Sequence, residues 1–286
     1  MEKRIILSYQ RTGSTPVLDV YRKFQESYYP SAIRVPQEPT CRDTWKHPYD
    51  FDMVENPYKE FKEKYSLSEA MRYLLHLPEG MYAVERQKVG AKIFSCILKE
   101  DVYVTKMFPE QFVGNELYNL KLLKQATDDK AKIIVLYRKN LLDSLSSLLL
   151  AIEEDKWVVN KSWKDVRKRL YLTESTKYPK EVLEWEVTKY VNNLHAWYNF
   201  VVMLKEAGVP LTLVAYEDIT SYDYQLLNKL EGTKFLSGYN TCLIVQSDPR
   251  DRTNALFWEK DIIEKAIKYC KEHLPVNEML QLELPL

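Results

Sequence analysis

The start of the chain constrains the fold most, because a strand-like run there leads through a turn into a helix. Residues 4–9 form a short, mainly apolar run that is typical of a strand covered on both faces. The turn, QRTGST at residues 10–15, contains Gly13, where the backbone must bend or come close to a ligand. Pro16 fits the first position of the helix that follows. The apolar stripe of this helix is formed by Val17, Leu18 and Tyr21.

The composition of this turn is that of an anion-binding site. A strand that enters a helix through such a turn leaves main-chain N–H groups without partners, and the helix dipole favours negative charge there. Ser14 and Thr15 add hydroxyl donors, and the guanidinium of Arg11 suits phosphate or sulfate. The turn lacks the first Gly and the Lys of the ATP-binding loop G-x-x-x-x-G-K-[ST]. The alternative is an ordinary strand-to-helix turn with an arginine on its rim.

Composition and charge narrow the classes of function. The 286 residues suffice for one large α/β domain or two small ones. Lys+Arg and Asp+Glu each number 41, so the net charge is zero, which argues against a general nucleic-acid-binding protein. The sequence has no signal peptide and no apolar run of about 18 residues, so we expect a soluble, cytoplasmic protein without a membrane span. The four cysteines are scattered without metal-binding spacing, so we expect reduced packing residues.

Strand-like and helical patterns alternate along the chain. Apolar runs predict strands at residues 4–9, 91–98, 102–107, 132–137 and 211–215. Helical patterns cover residues 66–77, 110–126, 141–152 (capped by Asn140), 179–207 (ended by Gly208 and Pro210) and 255–272. This alternation implies a parallel sheet with right-handed crossovers. We therefore expect a single α/β domain over residues 1–286, with a central parallel sheet flanked by helices and with insertions at residues 26–57 and 156–180.

A second basic signal follows the run at residues 132–137. Arg138 leaves the end of that predicted strand, and Ser146 lies eight residues further on, inside the next predicted helix. In a parallel sheet the ends of the strands and the starts of the helices share one edge, where ligands bind. Arg138 and Ser146 together would bind a second phosphate. Taken alone, the pair favours a simpler interpretation, a loop arginine and a serine on a helix surface.

Four stretches, in this order, resemble motifs of the sulfotransferases. QRTGST at residues 10–15 resembles their 5′-phosphosulfate loop, and Arg138 with Ser146 resembles their 3′-phosphate motif. VAYEDI at residues 214–219 resembles a late strand that ends in Tyr-Glu-Asp. QSDPRDRTNALFW at residues 246–258 resembles the segment that closes over the nucleotide in many bacterial members. The resemblance covers about residues 4–260.

The resemblance implies a P-loop NTPase-like fold and transfer of a sulfuryl group. The donor is 3′-phosphoadenosine-5′-phosphosulfate (PAPS), the product is adenosine 3′,5′-bisphosphate (PAP), and no metal is needed. The acceptor is a hydroxyl or amine of a small molecule, a sugar or a glycolipid. The implied donor-binding residues are Arg11, Thr12, Gly13, Ser14, Thr15, Arg138, Ser146, Tyr216, Arg250 and Arg252.

Four of these residues carry a qualification from the sequence itself. Many family members have Lys where this chain has Arg11, and arginine cannot give up a proton, so it acts only as a charged clamp. Arg250 and Arg252 stand among aspartates, so an exposed ion-paired loop is the alternative for them. Tyr216, with the two carboxylates after it, favours a structural role in which the carboxylates orient the basic groups.

The general base is expected in the first insertion. Cytosolic aryl and steroid members use a His in Lys-Thr-His-x-Pro, but residues 105–109, TKMFP, contain no His. Glu38, before Pro39, matches the base of the carbohydrate-type members, and a partly dry pocket would raise the pKa of its carboxyl group towards the working pH. A solvated loop residue is the alternative, and His47 is then the fallback base.

Two lysines complete the catalytic candidates. Lys92 and Lys106 lie in strand-like runs, where a lysine must be at an edge or have a partner. Either one would reach the sulfuryl oxygens, or it is a surface lysine with a buried stem. The acceptor pocket is expected from residues 26–57, 81–92 and 156–180. The rival functions are a P-loop small-molecule or nucleotide kinase, and a non-catalytic nucleotide-binding protein.

Overall fold

The chain folds around a parallel sheet. The computed structural model describes residues 2–32, 94–95, 97–109, 116–153, 180–221, 260–274 and 282. Within these ranges the strands are β1 (Arg4–Leu7), β2 (Val104–Met107), β3 (Lys132–Tyr137) and β4 (Leu211–Ala215). Their order across the sheet is β2-β1-β3-β4, and every neighbouring pair is parallel. The α/β class and the parallel sheet predicted from the alternating pattern are therefore confirmed.

Helices cover both faces of this sheet. In the described ranges they are α1 (Ser14–Tyr28), α2 (Glu116–Asp128), α3 (Leu141–Glu153), α4 (Lys180–Glu206), α5 (Tyr216–Ser221) and α6 (Lys260–His273). Ile6 and Leu136 pack in one cluster with Val17 and Leu18 of α1. Alternate strand residues such as Leu7 pack on the opposite face with α3 and α4. None of these helices combines the length and the apolarity that crossing a bilayer requires.

The strand order places a topological switch point between β1 and β3. The chain passes from β1 to β2 on one side and reaches β3 on the other side of β1. The helix after β1 packs on one face of the sheet, and the helix after β3 packs on the opposite face. The loops that follow these two strands both lie at the carboxyl edge of the sheet. In open α/β sheets this is where ligands bind.

Several predicted boundaries are confirmed. The strands at residues 132–137 and 211–215 have their predicted limits. Asn140 caps α3, because its Oδ1 accepts a hydrogen bond from the Asp143 N–H at 3.1 Å. The helix predicted over residues 179–207 is Lys180–Glu206. Gly208 ends it with a φ of +72°, and the N–H groups of Gly208 and Val209 bond back to the carbonyls of Lys205 and Leu204.

Other boundaries were wrong. The first strand ends at Leu7, not at residue 9, because Tyr9 turns away to contact the end of β3. Residues 94–95 and 97–99 are helical rather than part of a strand at 91–98, since the buried Phe94 and Ile97 have helical spacing. The strand predicted at residues 102–107 begins only at Val104.

The ends of two helices also differ from the prediction. Helix α1 begins at Ser14, so Pro16 lies within the first turn, where its missing N–H has no intrahelical partner to lose. The same helix runs to Tyr28, so the insertion predicted from residue 26 cannot begin there. Helix α2 continues two residues beyond the predicted limit of 126, to Asp128. The predicted helix at residues 66–77, and residues 110–115 and 255–259 of two others, lie outside the described residues.

Candidate functional site

The loop between β1 and α1 has an unusual backbone. Arg11 and Gly13 have φ angles of +63° and +73°, in the left-handed region. Thr12, which is buried, closes the loop from within, because its Oγ1 donates a hydrogen bond to the Tyr9 carbonyl oxygen at 2.8 Å. A left-handed conformation at a residue with a side chain costs about 1–3 kcal/mol. The surrounding contacts of Arg11 must therefore hold this loop in place.

The N-terminus of α1 lies at the end of this loop. Gly13 is the N-cap residue, and the first turn contains no acidic residue. The first intrahelical hydrogen bond joins Val17 N to Gly13 O at 3.3 Å, so the N–H groups of Ser14 and Thr15 precede it. Because the positive end of the helix dipole lies at this turn, its amides and hydroxyls suit an anion.

Tyr216, the first residue of α5, packs directly against Gly13. A Cβ atom at residue 13 would lie 2.3 Å from both Cδ2 and Cε2 of the Tyr216 ring. The prediction placed Tyr216 at the end of a strand, but β4 ends at Ala215 and the Tyr-Glu-Asp sequence forms the first turn of a helix. Only glycine therefore combines the left-handed backbone with this close ring contact.

Arg138 follows β3 and meets the first loop. Its Nη1 donates a hydrogen bond to the carbonyl oxygen of Arg11 at 3.3 Å. Two carboxylates lie further away, with Nη2 3.7 Å from Asp143 Oδ2 and Nε 3.6 Å from Glu217 Oε1. The guanidinium carbon lies 5.0 Å from the centroid of the Tyr216 ring, and the residue is only 6% exposed. The two predicted arginines are thus brought together at the carboxyl edge of the sheet.

Tyr9 links the same two loops through its hydroxyl group. This group accepts a hydrogen bond from Arg138 N at 3.2 Å and is 3.4 Å from Arg138 O. Its ring packs edge-on against Trp197, with centroids 4.8 Å apart, and burial raises the pKa of the phenol well above its ordinary value. Tyr9 therefore remains a neutral, rigid bridge between the ends of β1 and β3.

The first turn of α5 holds the loop after β3 through its carboxylates. Glu217 Oε2 accepts a hydrogen bond from Lys139 N at 3.0 Å, and Oε1 accepts one from Asn140 N at 3.3 Å. Asp218 Oδ1 lies 2.8 Å from Lys139 Nζ, and this hydrogen bond raises the pKa of the lysine. The expectation that these carboxylates orient basic groups agrees with this geometry.

Arg11 reaches α3 through a serine that the sequence did not single out. Its Nε and Nη2 donate hydrogen bonds to Ser147 Oγ at 3.1 and 2.8 Å. Ser146, the predicted partner of Arg138, lies in α3, and its side chain is not among those described. The observed contact is therefore between Arg11 and Ser147, and not the predicted pair of Arg138 and Ser146.

Lys106 is buried in β2, which lies at one edge of the described sheet. It pairs with Ile6 of β1, and its side chain is 1% exposed, so it is not a surface lysine. Its Nζ lies 4.5 Å from the centroid of the Phe108 ring. This cation–π contact stabilises a buried ammonium group.

Five predicted site residues lie outside the described residues. They are Glu38, His47, Lys92, Arg250 and Arg252. The same holds for the acceptor-pocket segments, apart from residues 26–32 and the backbone of Lys180. The described site is thus part of the predicted donor half, together with Lys106.

Sequence reasoning missed Tyr9 and Ser147 as parts of this site. Tyr9 is the last residue of the predicted first strand, where a side chain near the sheet edge is expected to meet a ligand or a neighbouring loop. Ser147 is four residues after Asp143, so both face the Arg11 and Arg138 side of α3. Tyr9 and Ser147 could be assigned to the site only once the strand order, which places β1 beside β3, was known.

Taken together, the fold and the site define an α/β protein with a junction of two arginines at the carboxyl edge of a parallel sheet. Among the described residues, no group of three or more His, Cys, Asp or Glu side chains is placed to hold a metal ion. Comparison of the chain with models of protein families, with curated proteins and with solved structures gave no match.

Proposed function

We propose that this protein is a sulfotransferase of P-loop NTPase-like fold that transfers a sulfuryl group from PAPS to a hydroxyl or amine. The junction of the two arginine loops carries the proposal. Arg138 Nη1 bonds the carbonyl of Arg11 at 3.3 Å, beside the N-terminus of α1. A donor that carries a 5′-phosphosulfate and a 3′-phosphate needs two anion-binding groups near each other, and Arg11 and Arg138 at this edge are the candidates for both.

The chemistry of the donor set fits such a ligand. The groups are main-chain amides, hydroxyls and guanidinium groups, which bind phosphate and sulfate without a metal. The carboxylates nearest to Arg138 are 3.6 and 3.7 Å away, longer than a direct charge-assisted hydrogen bond. Arg138 thus retains the capacity to bond a phosphate oxygen.

Different residues of the described site bind different parts of the donor. PAPS, when bound, supplies the sulfuryl group and a phosphate leaving group. Arg11, with the amides of Ser14 and Thr15, stabilises negative charge at the 5′ end, and Arg138 holds the 3′-phosphate. Such stabilisation by preorganised donors is the main source of catalysis in group transfer between oxygens. Ser147 orients the Arg11 guanidinium, and Lys106 is a buried lysine of β2, the strand that pairs with β1.

The acceptor must lose a proton, and neither arginine can take it. Glu38 is the proposed base, with His47 as the second choice. Glu38→Gln is therefore expected to lower turnover while leaving the affinity for PAP unchanged. Full activity of this variant would remove Glu38 from the mechanism and direct attention to His47.

The experiment is a turnover assay with PAPS and a panel of sugars, glycolipids, alcohols and amines, with release of PAP as the readout. Acceptor-dependent PAP release without added metal supports the proposal. Turnover only with ATP and Mg²⁺ would establish the rival kinase. Tight binding of PAP with no turnover on any acceptor would favour a non-catalytic nucleotide-binding protein.

A further inference from the structure

Glu217 contacts three successive residues of the loop after β3. Its two oxygens accept the main-chain N–H groups of Lys139 and Asn140 at 3.0 and 3.3 Å. The oxygen that binds Asn140 also lies 3.6 Å from Arg138 Nε. One carboxylate from the turn after β4 therefore holds the whole segment that carries Arg138.

These amides lie immediately before α3. Asn140 is the residue that caps this helix, through the hydrogen bond from Asp143 N to its side chain. The N–H groups at such a position have no partner within the helix. Without Glu217 these N–H groups would bond to water or to a ligand. The loop would then lose two hydrogen bonds that fix its position.

We propose that Glu217 is a positioning residue for the anion site at Arg138. Its carboxylate fixes the backbone of residues 138–140, and so it sets the direction from which the Arg138 guanidinium meets a 3′-phosphate. The proposal rests on the proposed function, because it concerns the site assigned there to the 3′-phosphate. Glu217 itself does not touch the ligand.

The opposite role, a carboxylate that competes with the ligand for Arg138, fits the distances less well. Both oxygens of Glu217 are used by the amides at hydrogen-bond distance, whereas the contact with Arg138 Nε is longer. An anion that displaced Glu217 would break both amide hydrogen bonds. A positioning carboxylate needs no such rearrangement.

The two roles predict opposite effects of Glu217→Gln. The variant removes one negative charge beside the site, so a competing or purely electrostatic role predicts tighter binding of anions. A positioning role predicts weaker binding, because an amide oxygen accepts only one of the two main-chain hydrogen bonds. A merely structural role lowers the thermal midpoint and leaves the nucleotide selectivity of the folded protein unchanged.

The experiment measures Kd by calorimetry for PAP and for adenosine 5′-phosphate, which lacks the 3′-phosphate. The Kd for adenosine 5′-phosphate divided by the Kd for PAP isolates the contribution of the 3′-phosphate. For Glu217→Gln we expect this ratio to fall about fivefold to tenfold relative to the wild type, the contribution of roughly one ordinary hydrogen bond. Glu217→Asp, which keeps the charge on a shorter side chain, is expected to lose less and serves as the test if Glu217→Gln does not fold.

The matched control is Glu206→Gln, the same change at an exposed position at the end of α4. If the wild type binds PAP more tightly than adenosine 5′-phosphate and the ratio is unchanged or larger in Glu217→Gln, the positioning role is overturned. The proposed function is then left intact. A wild-type protein that does not distinguish the two nucleotides overturns the 3′-phosphate site, and the positioning role with it.

Discussion

The ring of Tyr216 occupies the space beside Gly13 that any other residue would need for its Cβ atom. A Cβ there would lie 2.3 Å from two ring carbons, and the same ring lies 5.0 Å from the guanidinium carbon of Arg138. Tyr216 therefore ties the loop after β1 to the loop after β3. The arrangement of both loops depends on the absence of a side chain at residue 13.

Gly13→Ala tests this contact. The left-handed backbone alone costs about 1–2 kcal/mol for alanine, and the ring clash adds to it. Gly208→Ala is the matched control, because Gly208 has nearly the same φ, +72°, with nothing within 4 Å of the added Cβ. Urea unfolding should show the larger loss of stability at residue 13. Equal losses would contradict the close packing of Tyr216.

The two arginines are expected to share the binding of PAP. Arg11→Ala and Arg138→Ala should each weaken its binding about tenfold to a hundredfold, since each loses a charge-assisted contact with a phosphate. Lys268→Ala removes the same charge from an exposed position on α6 and should change little. Titration calorimetry gives the three constants. Unchanged affinity in both arginine variants would rule out the donor-site assignment.

Lys130→Gly is expected to stabilise the protein. Lys130 ends α2 with a φ of +67°, a left-handed conformation that glycine adopts without a steric penalty. The gain should be about 1 kcal/mol in the free energy of unfolding. Lys124→Gly, at an exposed position inside the same helix, should instead lower stability by about 1 kcal/mol. A loss of stability at residue 130 would contradict the left-handed conformation.

Stability should fall at alkaline pH because of buried thiol and phenol groups. Burial raises the pKa of Cys270 from 9.0 to about 11, and it also raises the pKa of Tyr190. Above pH 9 the unfolded state releases protons that the folded state retains, so the free energy of unfolding decreases as the pH rises. Chemical denaturation between pH 8 and about 11 measures this slope. Cys270→Ala should make the slope shallower; an unchanged slope would contradict a protonated, buried thiol.

The sheet was largely predictable, since buried parallel strands have continuous apolar sequences. The runs that form β3 and β4 have the predicted limits, and Asn140 caps the next helix as its position indicates. The helical residues 94–95 and 97–99 were mistaken for a strand because a short apolar run does not distinguish a strand from a helix.

The site was predictable only in part. Gly13 and the arginines stood out because the chemistry of anion binding limits the residue types that supply it. The serine that meets Arg11 did not, because neighbouring residues on a helix point about 100° apart and packing fixes the rotation. The positions of Leu145 and Leu148 against the sheet turn Ser147 towards Arg11. Glu217 was recognised only as one of two carboxylates, since its contacts depend on β4 lying beside β3.

The most direct test of the central claim is calorimetric titration of the wild-type protein with PAP and with ATP, both without metal. The account predicts clear binding of PAP and much weaker binding of ATP, because ATP lacks the 3′-phosphate that the proposed site would bind. Preference for ATP, or binding of neither nucleotide, would contradict a PAPS site at the junction of Arg11 and Arg138.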